Sequence, residues 1–167
     1  SAQTLGNDKD SLLIEEGIAV NSTASLDYSV AEAVKVLGNP TEGALLLWLK
    51  KAGVDYLNLR ESSEVLEELP FSTERKYMAT IVKSSLFEGK TILYVKGAPE
   101  IVSGLCKNIE NNVSKTDIEN QLVEYQNQAM RTLGFAYQII DGKADVFEDG
   151  KVVADNLTFM GVVAISD

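Results

Sequence analysis

Three strand-like runs in the middle of the chain, joined by short polar connections, constrain its fold more than any other feature. The runs are VLEELPF from Val65, KYMATIVKSS from Lys76 and TILYVK ending at Lys96, and Glu88-Gly89 marks the turn before the third. This spacing predicts an antiparallel meander. Because no regular strand–helix alternation surrounds it, we expect an α+β fold, an antiparallel β-sheet flanked by helices, and not a doubly wound parallel sheet.

Two helices are predicted before the meander. The first covers SLLIEEGIAV, residues 11–20, where apolar residues recur at helical spacings. The second lies in GNPTEGALLLWLKKAG, where Asn39 is a good N-cap and Pro40 occupies the first helical position. Glu42 at the third position completes a capping box, and Gly53 ends the helix. Its interior is apolar nearly all round, which predicts deep packing.

Two further helices are predicted after the meander. Pro99 begins a short one that ends at Cys106, and a capping box of Ser114 and Asp117 begins a longer one. Arg131 is predicted near the C-terminal end of the longer helix, where it complements the macrodipole. The predicted buried stripe of this helix consists of Ile118, Leu122, Tyr125 and Ala129.

The last third of the chain adds two strands to the prediction. LGFAYQII and LTFMGVVAI have strand composition, and the polar segment between them contains turn signals at Asp141-Gly142 and Asp149-Gly150. Neither common Gly-rich phosphate-loop pattern is present, which counts against Rossmann and P-loop folds.

Length and composition indicate one domain, residues 1–167, with residues 1–3 interpreted as a cloning remnant. The longest apolar run, Ala44 to Leu49, is far shorter than the roughly 20 residues that cross a bilayer, so no direct membrane contact is expected. The net charge of −10 argues against nucleic-acid binding. With no histidine and only Cys106, the chain cannot build a Cys/His nucleophile pair or an internal disulfide, and a zinc site is not expected.

A cation at the rim of the predicted core is the first candidate for a ligand site. Lys96 ends a strand, and Gly97 and Ala98 leave space beside its stem. A flat, electron-rich or anionic ligand would fit there, because glycine allows close approach to the backbone. The alternative is a snorkelling lysine followed by an ordinary strand-to-helix turn.

Three other segments offer weaker candidates, each with a structural alternative. Phe71, followed by Arg75, Lys76 and Met78, suits a base stacked beside cations that meet phosphates, but for Phe71 alone a core phenylalanine among solvated charges is the better explanation. Glu42 suits an acceptor for an adenine amino group, or simply the capping box. Arg131, in turn, suits a phosphate contact or a solvated surface position.

Taken together, five segments resemble a known family. NPTEGALL, FSTERKYM, VKGAPE, MRTLGFAY and LTFMGVVAISD, in this order and at these separations, resemble the nucleotide-binding domain of P-type cation-transporting ATPases, with the calcium-pump branch the most similar. EEGIAVNSTA also resembles the start of this domain in plasma-membrane-type calcium pumps. The resemblance extends from residue 11 to Asp167, and KGAPE with an upstream F-S-x-x-R-K is a specific pair.

The resemblance implies a role for nine positions. Phe71 stacks on adenine, Lys96 lies at the base of the adenine cavity, and Glu42 hydrogen-bonds near the adenine amino group. Several calcium pumps carry an arginine where this chain has Thr73, so no phosphate contact is assigned to Thr73. The remaining positions are Lys76 and Met78 in the pocket lining, Gly97 and Ala98 in its wall, Arg131 directed toward the phosphates and Leu133 beside it.

The resemblance also implies a place in a larger pump. The domain would bind ATP with Mg²⁺ and present the γ-phosphate to an aspartate of a separate phosphorylation domain, an in-line transfer. The D-K-T-G-T segment that bears this aspartate and the T-G-E motif of the actuator domain are absent from the sequence. We therefore expect a cytoplasmic domain of an integral membrane protein, with those two domains as partners and Asp167 at the hinge. We expect it to be monomeric when isolated, with no catalytic residue or metal ligand of its own.

Two other functions remain open at this point. A non-catalytic α+β module for protein interaction or regulation would use the acidic surface as its working face. A stand-alone nucleotide hydrolase is the third candidate, but the sequence shows neither a general base nor a phosphate loop for it.

Overall fold

A six-stranded sheet forms the centre of the computed structural model, which describes residues 9–30, 33–110, 113–141 and 145–166. The strands of this sheet are β3 (Glu64–Leu69), β4 (Tyr77–Lys83), β5 (Thr91–Gly97), β6 (Asn108–Ile109), β7 (Arg131–Ile140) and β10 (Thr158–Ile165). Their order across the sheet is β3-β4-β5-β7-β10-β6. The predicted meander is confirmed, because β4 pairs antiparallel with both β3 and β5.

Five helices flank this sheet in the described part of the chain. The helix expected near residues 11–20, the one capped by Asn39 and the one begun by Pro99 are all confirmed. The capping box of Ser114 and Asp117 is also present. The helices are α1 (Lys9–Val20), α2 (Pro40–Lys51), α3 (Tyr56–Ser62), α4 (Pro99–Leu105) and α5 (Lys115–Asn127).

Alternating side chains of the central strands divide the core into two layers. Ile92 and Tyr94 of β5 pack with the apolar residues of α1, α2 and α3 on one face of the sheet. Leu93 and Val95 point to the other face, where they join a cluster that includes Val102 of α4 and residues of α5. This is the period-two pattern of a strand that is covered on both faces. The α+β prediction, a sheet flanked by helices, is confirmed.

Two short hairpins complete the fold, and the sequence did not predict either pairing. β1 (Ser25–Asp27) pairs with β2 (Lys35–Leu37), and β8 (Phe147–Glu148) pairs with β9 (Lys151–Val152). The expected turn at Asp149-Gly150 is confirmed, since both residues have positive φ between β8 and β9. Residues 1–3, Gly142 and Asp167, which carried other expectations, lie outside the described residues.

Several sequence expectations are wrong in detail. The sheet is not purely antiparallel, because β6 pairs parallel with β10 at its edge. α2 is not buried all round, since Leu47 is exposed. In α5 the stripe is buried only at Ile118, and Ala129 lies beyond the end of the helix with φ of 54°. The physical reason is incomplete cover, because β7 and β10, the strands that α5 contacts, leave Leu122 and Tyr125 half-buried. Arg131 opens β7 and is not helical.

Candidate functional site

A cleft of about 820 Å³ opens where the first residues of β4 and β7 meet the last residues of β5. The N-terminal turn of α2 and the loop before β4 close its sides. All nine positions singled out from the sequence line this one cleft: Glu42, Phe71, Lys76, Met78, Lys96, Gly97, Ala98, Arg131 and Leu133. Their role in binding nucleotide stays a prediction, but the fold brings them together.

An ion pair forms the floor of the cleft. Lys96 is only 6% exposed, and its Nζ donates to the backbone oxygen of Asn21 and, at 2.5 Å, to Oε2 of Glu42. The Glu42 carboxylate also accepts from the backbone N–H of Thr23 at 3.2 Å and from its hydroxyl at 3.1 Å. Lys96 is therefore a buried, partnered cation, and the snorkelling alternative is wrong.

The capping box expected at the start of α2 forms only in part. The Asn39 side chain accepts from the backbone N–H groups of Thr41 and Glu42, as an N-cap does. The Glu42 carboxylate instead turns toward Thr23 and Lys96. The first turn of α2 thus presents a carboxylate to the cleft and does not use it for capping.

The charges of this pair depend on each other. Burial lowers the pKa of Lys96 below its usual 10.5, and the Glu42 carboxylate offsets part of that effect. Burial alone would raise the pKa of Glu42, but Lys96 and the hydrogen bonds accepted by the carboxylate outweigh it, so this pKa lies below its usual 4.5. Glu42 is thus ionised at neutral pH and helps to keep its partner charged in the protein interior.

Asn21 helps to hold the ion pair at the floor of the cleft, because its backbone oxygen accepts from Lys96. This residue follows the end of α1 and is buried. Its side chain accepts from the Thr80 hydroxyl at 2.6 Å and donates to the backbone oxygen of Met78 at 3.3 Å. The backbone oxygen that receives Lys96 is therefore held against β4. No local sequence pattern pointed to Asn21, because its partners lie more than fifty residues away in the chain.

Close packing of β4 against β5 explains the glycine beside Lys96. A Cβ on Gly97 would collide with the backbone oxygen of Lys76 and would lie 2.6 Å from Cα of Tyr77. Lys76 itself has φ of 65°, in the left-handed region. The backbone N–H of Ala98 donates to the same Lys76 oxygen at 3.0 Å. Gly97 is thus required by contact between strands, in addition to lining the cleft.

An aromatic ring lies at the rim of the cleft. Phe71 follows Pro70 in the loop before β4 and is 58% exposed. The alternative of a core phenylalanine is therefore wrong. A large apolar side chain left in solvent beside a buried ion pair offers a flat surface on which an aromatic ligand can stack.

Cations dominate the charged lining of the cleft. Lys76 and Arg131 join Lys96, whereas Glu42 is the carboxylate among the described lining residues. Nη1 of Arg131 donates to the Thr41 hydroxyl at 2.9 Å, so the N-terminal turn of α2 helps to orient the guanidinium. The cleft therefore suits an anionic ligand, although the chain as a whole carries a charge of −10.

Six lining residues were not predicted as site residues. They come from the loop after α1, the start of α2 and the stretch from the end of α5 to the start of β7, which are distant in sequence. Their side chains are mostly amides and hydroxyls, which carry no motif of their own. They are Thr23, Asn39, Thr41, Gln126, Met130 and Thr132. Thr73 also lines the cleft.

The described residues contain no group of three or more acidic, histidine or cysteine side chains able to hold a metal ion. Within the same residues, no helix is both long and apolar enough to cross a bilayer. The cleft carboxylate of Glu42 is already paired with Lys96.

Comparison with known proteins agrees with this architecture. Residues 11–167 match the family model described as P-type ATPase, cytoplasmic domain N. The chain is 34% identical over 164 residues to the calcium-transporting ATPase PAT1 of Dictyostelium discoideum and 33% identical over 129 residues to calcium-transporting ATPase 1 of Lactococcus lactis. It is 28% identical over 169 residues to the plasma membrane-type calcium-transporting ATPase 10 of Arabidopsis thaliana.

These matches cover most of this chain but little of each relative. They span 93%, 72% and 93% of this chain, and 14%, 14% and 16% of the respective relatives. The chain therefore corresponds to one segment of much longer proteins, as the motifs predicted. It belongs to the P-type ATPase family, as a cytoplasmic N domain.

Proposed function

We propose that this chain is the ATP-binding domain of a P-type ATPase that transports a cation, with calcium as the ion. The single observation that carries the proposal is an exposed aromatic ring, Phe71, placed at the rim of a cleft whose floor is the buried Lys96–Glu42 pair. Calcium is favoured by the names of the similar proteins, which are calcium-transporting ATPases.

The adenine ring would enter between Phe71 and the floor of the cleft. Stacking on the exposed ring supplies affinity without base-specific hydrogen bonds. The Glu42 carboxylate offers an acceptor to the adenine amino group, and Lys96 holds that carboxylate in place. Met78 and Leu133 supply apolar walls. Lys96 thus helps to bind the adenine ring and orients the Glu42 carboxylate. No chemical step is assigned to Lys96.

The phosphates would extend along the first residues of β7. Lys96 lies opposite Phe135, and Arg131 lies four residues earlier on the same strand. At about 3.3 Å per residue this is roughly 13 Å, a length that suits an extended nucleotide. Arg131 and Lys76 provide the charge at that end. Because Ile165 of β10 pairs with Arg131, the phosphate end lies beside the last strand.

The proposed role in the parent pump is to deliver the nucleotide. The γ-phosphate would pass to an aspartate of a separate phosphorylation domain, and ADP would remain as the leaving group. Residues 1–167 would form one domain, with the phosphorylation and actuator domains of the same chain as its partners. Mg²⁺ would arrive bound to the phosphates, since the cleft offers it no free carboxylate in the part of the chain described.

The test is a titration of the 167-residue chain with ATP followed by amide NMR. We expect the largest shifts at Phe71, Glu42, Lys96 and Arg131, with smaller changes along β7. Shifts confined to the acidic outer surface, or none at millimolar ATP, would overturn the proposal and leave an interaction module as the better function. The titration should also be repeated with inorganic triphosphate, which corresponds to the phosphate chain alone. We expect it to shift only the amides at the end of the cleft that contains Arg131.

A further inference from the structure

The loop that carries Phe71 is short, polar and held mainly by its own backbone. Within it, the backbone N–H of Lys76 donates to the Ser72 oxygen at 2.7 Å, and the N–H of Arg75 donates to the Ser72 hydroxyl at 3.0 Å. The ring of Phe71 is mostly exposed. The position of the Phe71 ring at the cleft therefore depends on the contacts that hold the loop backbone to other parts of the protein.

Arg75 connects this loop to a hairpin on the other side. Its Nη2 donates to the backbone oxygen of Pro70, the residue before Phe71, and its Nη1 donates to the oxygen of Gly150 at 2.8 Å. Gly150 lies in the turn between β8 and β9. The guanidinium also lies 6.0 Å from the ring centre of Tyr77. Arg75 is not among the described residues that line the cleft, so the alternative in which it meets phosphates there is not supported.

The hairpin has a second attachment to the same segment. The backbone N–H of Val152 in β9 donates to the hydroxyl of Tyr77 at 2.8 Å, and Val152 is buried. Tyr77 begins β4, directly after the loop. The hairpin is therefore fixed to β4 independently of Arg75, so it provides a rigid support against which Arg75 can hold Pro70.

We propose that Arg75 is a positioning residue for Phe71 and that the β8–β9 hairpin is its support, so that two features outside the cleft set the affinity of the cleft for nucleotide. The inference rests on the proposed function. The physical reason is preorganisation: a ring already held in its stacking position loses less conformational freedom on binding than a ring on a mobile loop. Only a planar, forked donor can reach both backbone oxygens at once.

The test compares variants of the 167-residue chain by calorimetric titration with ATP. Arg75→Met keeps the apolar stem and removes both donors, and we expect it to weaken binding by about 3- to 10-fold, part of the effect of a lost stack. Both hydrogen bonds that it removes are exposed, so water can replace the lost donors and the variant should stay folded. Lys151→Gln removes a cation from the same hairpin and should leave the affinity unchanged.

Two further variants separate positioning from charge. Arg75→Lys keeps the charge but cannot bridge both oxygens, so it should weaken binding nearly as much as Arg75→Met. Full affinity in Arg75→Lys would overturn the inference, because it would show that charge alone matters. When Phe71 is already alanine, Arg75→Met should change affinity by less than about 2-fold. Equal losses with and without Phe71 would also overturn it.

Hydrogen exchange measured without nucleotide tests the positioning role of Arg75 separately from the proposed ATP binding. In Arg75→Met the amides of Arg75 and Lys76 should exchange faster, while those of β5 stay protected. Unchanged exchange in the loop would overturn the inference even if ATP binds. If the unmodified chain does not bind ATP, the proposed function is overturned, and exchange still decides whether Arg75 fixes the loop.

Discussion

Phe71 is the residue whose exposure matters most for the proposed function. A ring that is 58% exposed contributes little to the core, so its removal should cost the fold less than about 0.5 kcal/mol. We expect Phe71→Ala to weaken ATP binding by about 1 to 3 kcal/mol, the range for one lost aromatic stack. Calorimetric titration and urea unfolding measure the two effects separately. Val65→Ala, which trims an exposed side chain on the edge strand β3, is the control and should change neither.

The Lys96–Glu42 pair should behave as a coupled unit. Removing one partner leaves the other charge partly buried, so Glu42→Gln and Lys96→Met should each destabilise the fold, by about 1 to 3 kcal/mol. The double variant should lose clearly less than the sum of the two, as measured by urea unfolding. Additive losses would show that the 2.5 Å contact carries no coupling. Lys83→Met, at the exposed end of β4, is the control for loss of a lysine.

The same pair predicts the direction of a pH effect. The pKa of Glu42 is lowered in the fold, so its stabilising contribution is present above its unfolded value of 4.5 and is lost as pH falls through the lower folded value. Protonated Glu42 then resembles glutamine. The difference in unfolding free energy between the unmodified chain and Glu42→Gln should therefore shrink on acidification below pH 4.5. Urea titrations at neutral and acid pH measure it, and a constant difference would contradict the assignment.

At the scale of elements, the contact between β4 and β5 determines the shape of the cleft floor. Gly97→Ala would push a methyl group into the backbone of Lys76 and Tyr77, which side-chain rotation cannot relieve. We expect a loss of about 1 to 3 kcal/mol in stability, typical of overpacking, together with weaker ATP binding. Thermal unfolding and calorimetry measure the two.

Gly104 offers the matched control for that substitution. It lies in the exposed last turn of α4, where a Cβ would meet nothing within 4 Å. Gly104→Ala should be neutral or stabilising by up to about 1 kcal/mol, because alanine favours the helix. Equal effects at both positions would mean that the close approach of β4 to β5 is not what requires glycine at 97.

Elements with strong local signals were predictable, and elements defined by distant contacts were not. Asn39 and the Ser114–Asp117 box begin their helices as expected, because capping depends only on neighbouring residues. The hairpin of β1 and β2 has three-residue strands, too short to show a period. Arg131 was expected in a helix because α5 precedes it closely, yet pairing with β10 extends β7 back to that residue, beyond Gly134 where the pairing with β5 ends.

At the scale of the whole molecule, the cleft is assembled from segments that lie far apart in the chain. The sequence named its nine residues through motifs, but it could not show that Lys96 meets Glu42 or that Asn21 lies beneath them, since those contacts span more than fifty residues. The net charge of the chain is an equally poor guide to the charges that line the cleft. A net charge of −10 conceals the fact that the described cleft is lined by three cations and one carboxylate.

We expect no ATP turnover by this chain alone. Transfer of a γ-phosphoryl group needs a nucleophile in line with the leaving oxygen and groups that stabilise the charge on the transferred phosphate. The one carboxylate described in the cleft, Glu42, is a weak base because Lys96 and its hydrogen bonds hold its pKa below 4.5, and the sequence contains no histidine to act as a base. The chain with MgATP should therefore release phosphate no faster than a protein-free sample, although we expect it to bind ATP. Phosphate release that disappears in Phe71→Ala would contradict this, whereas release that persists in that variant would identify a contaminating ATPase.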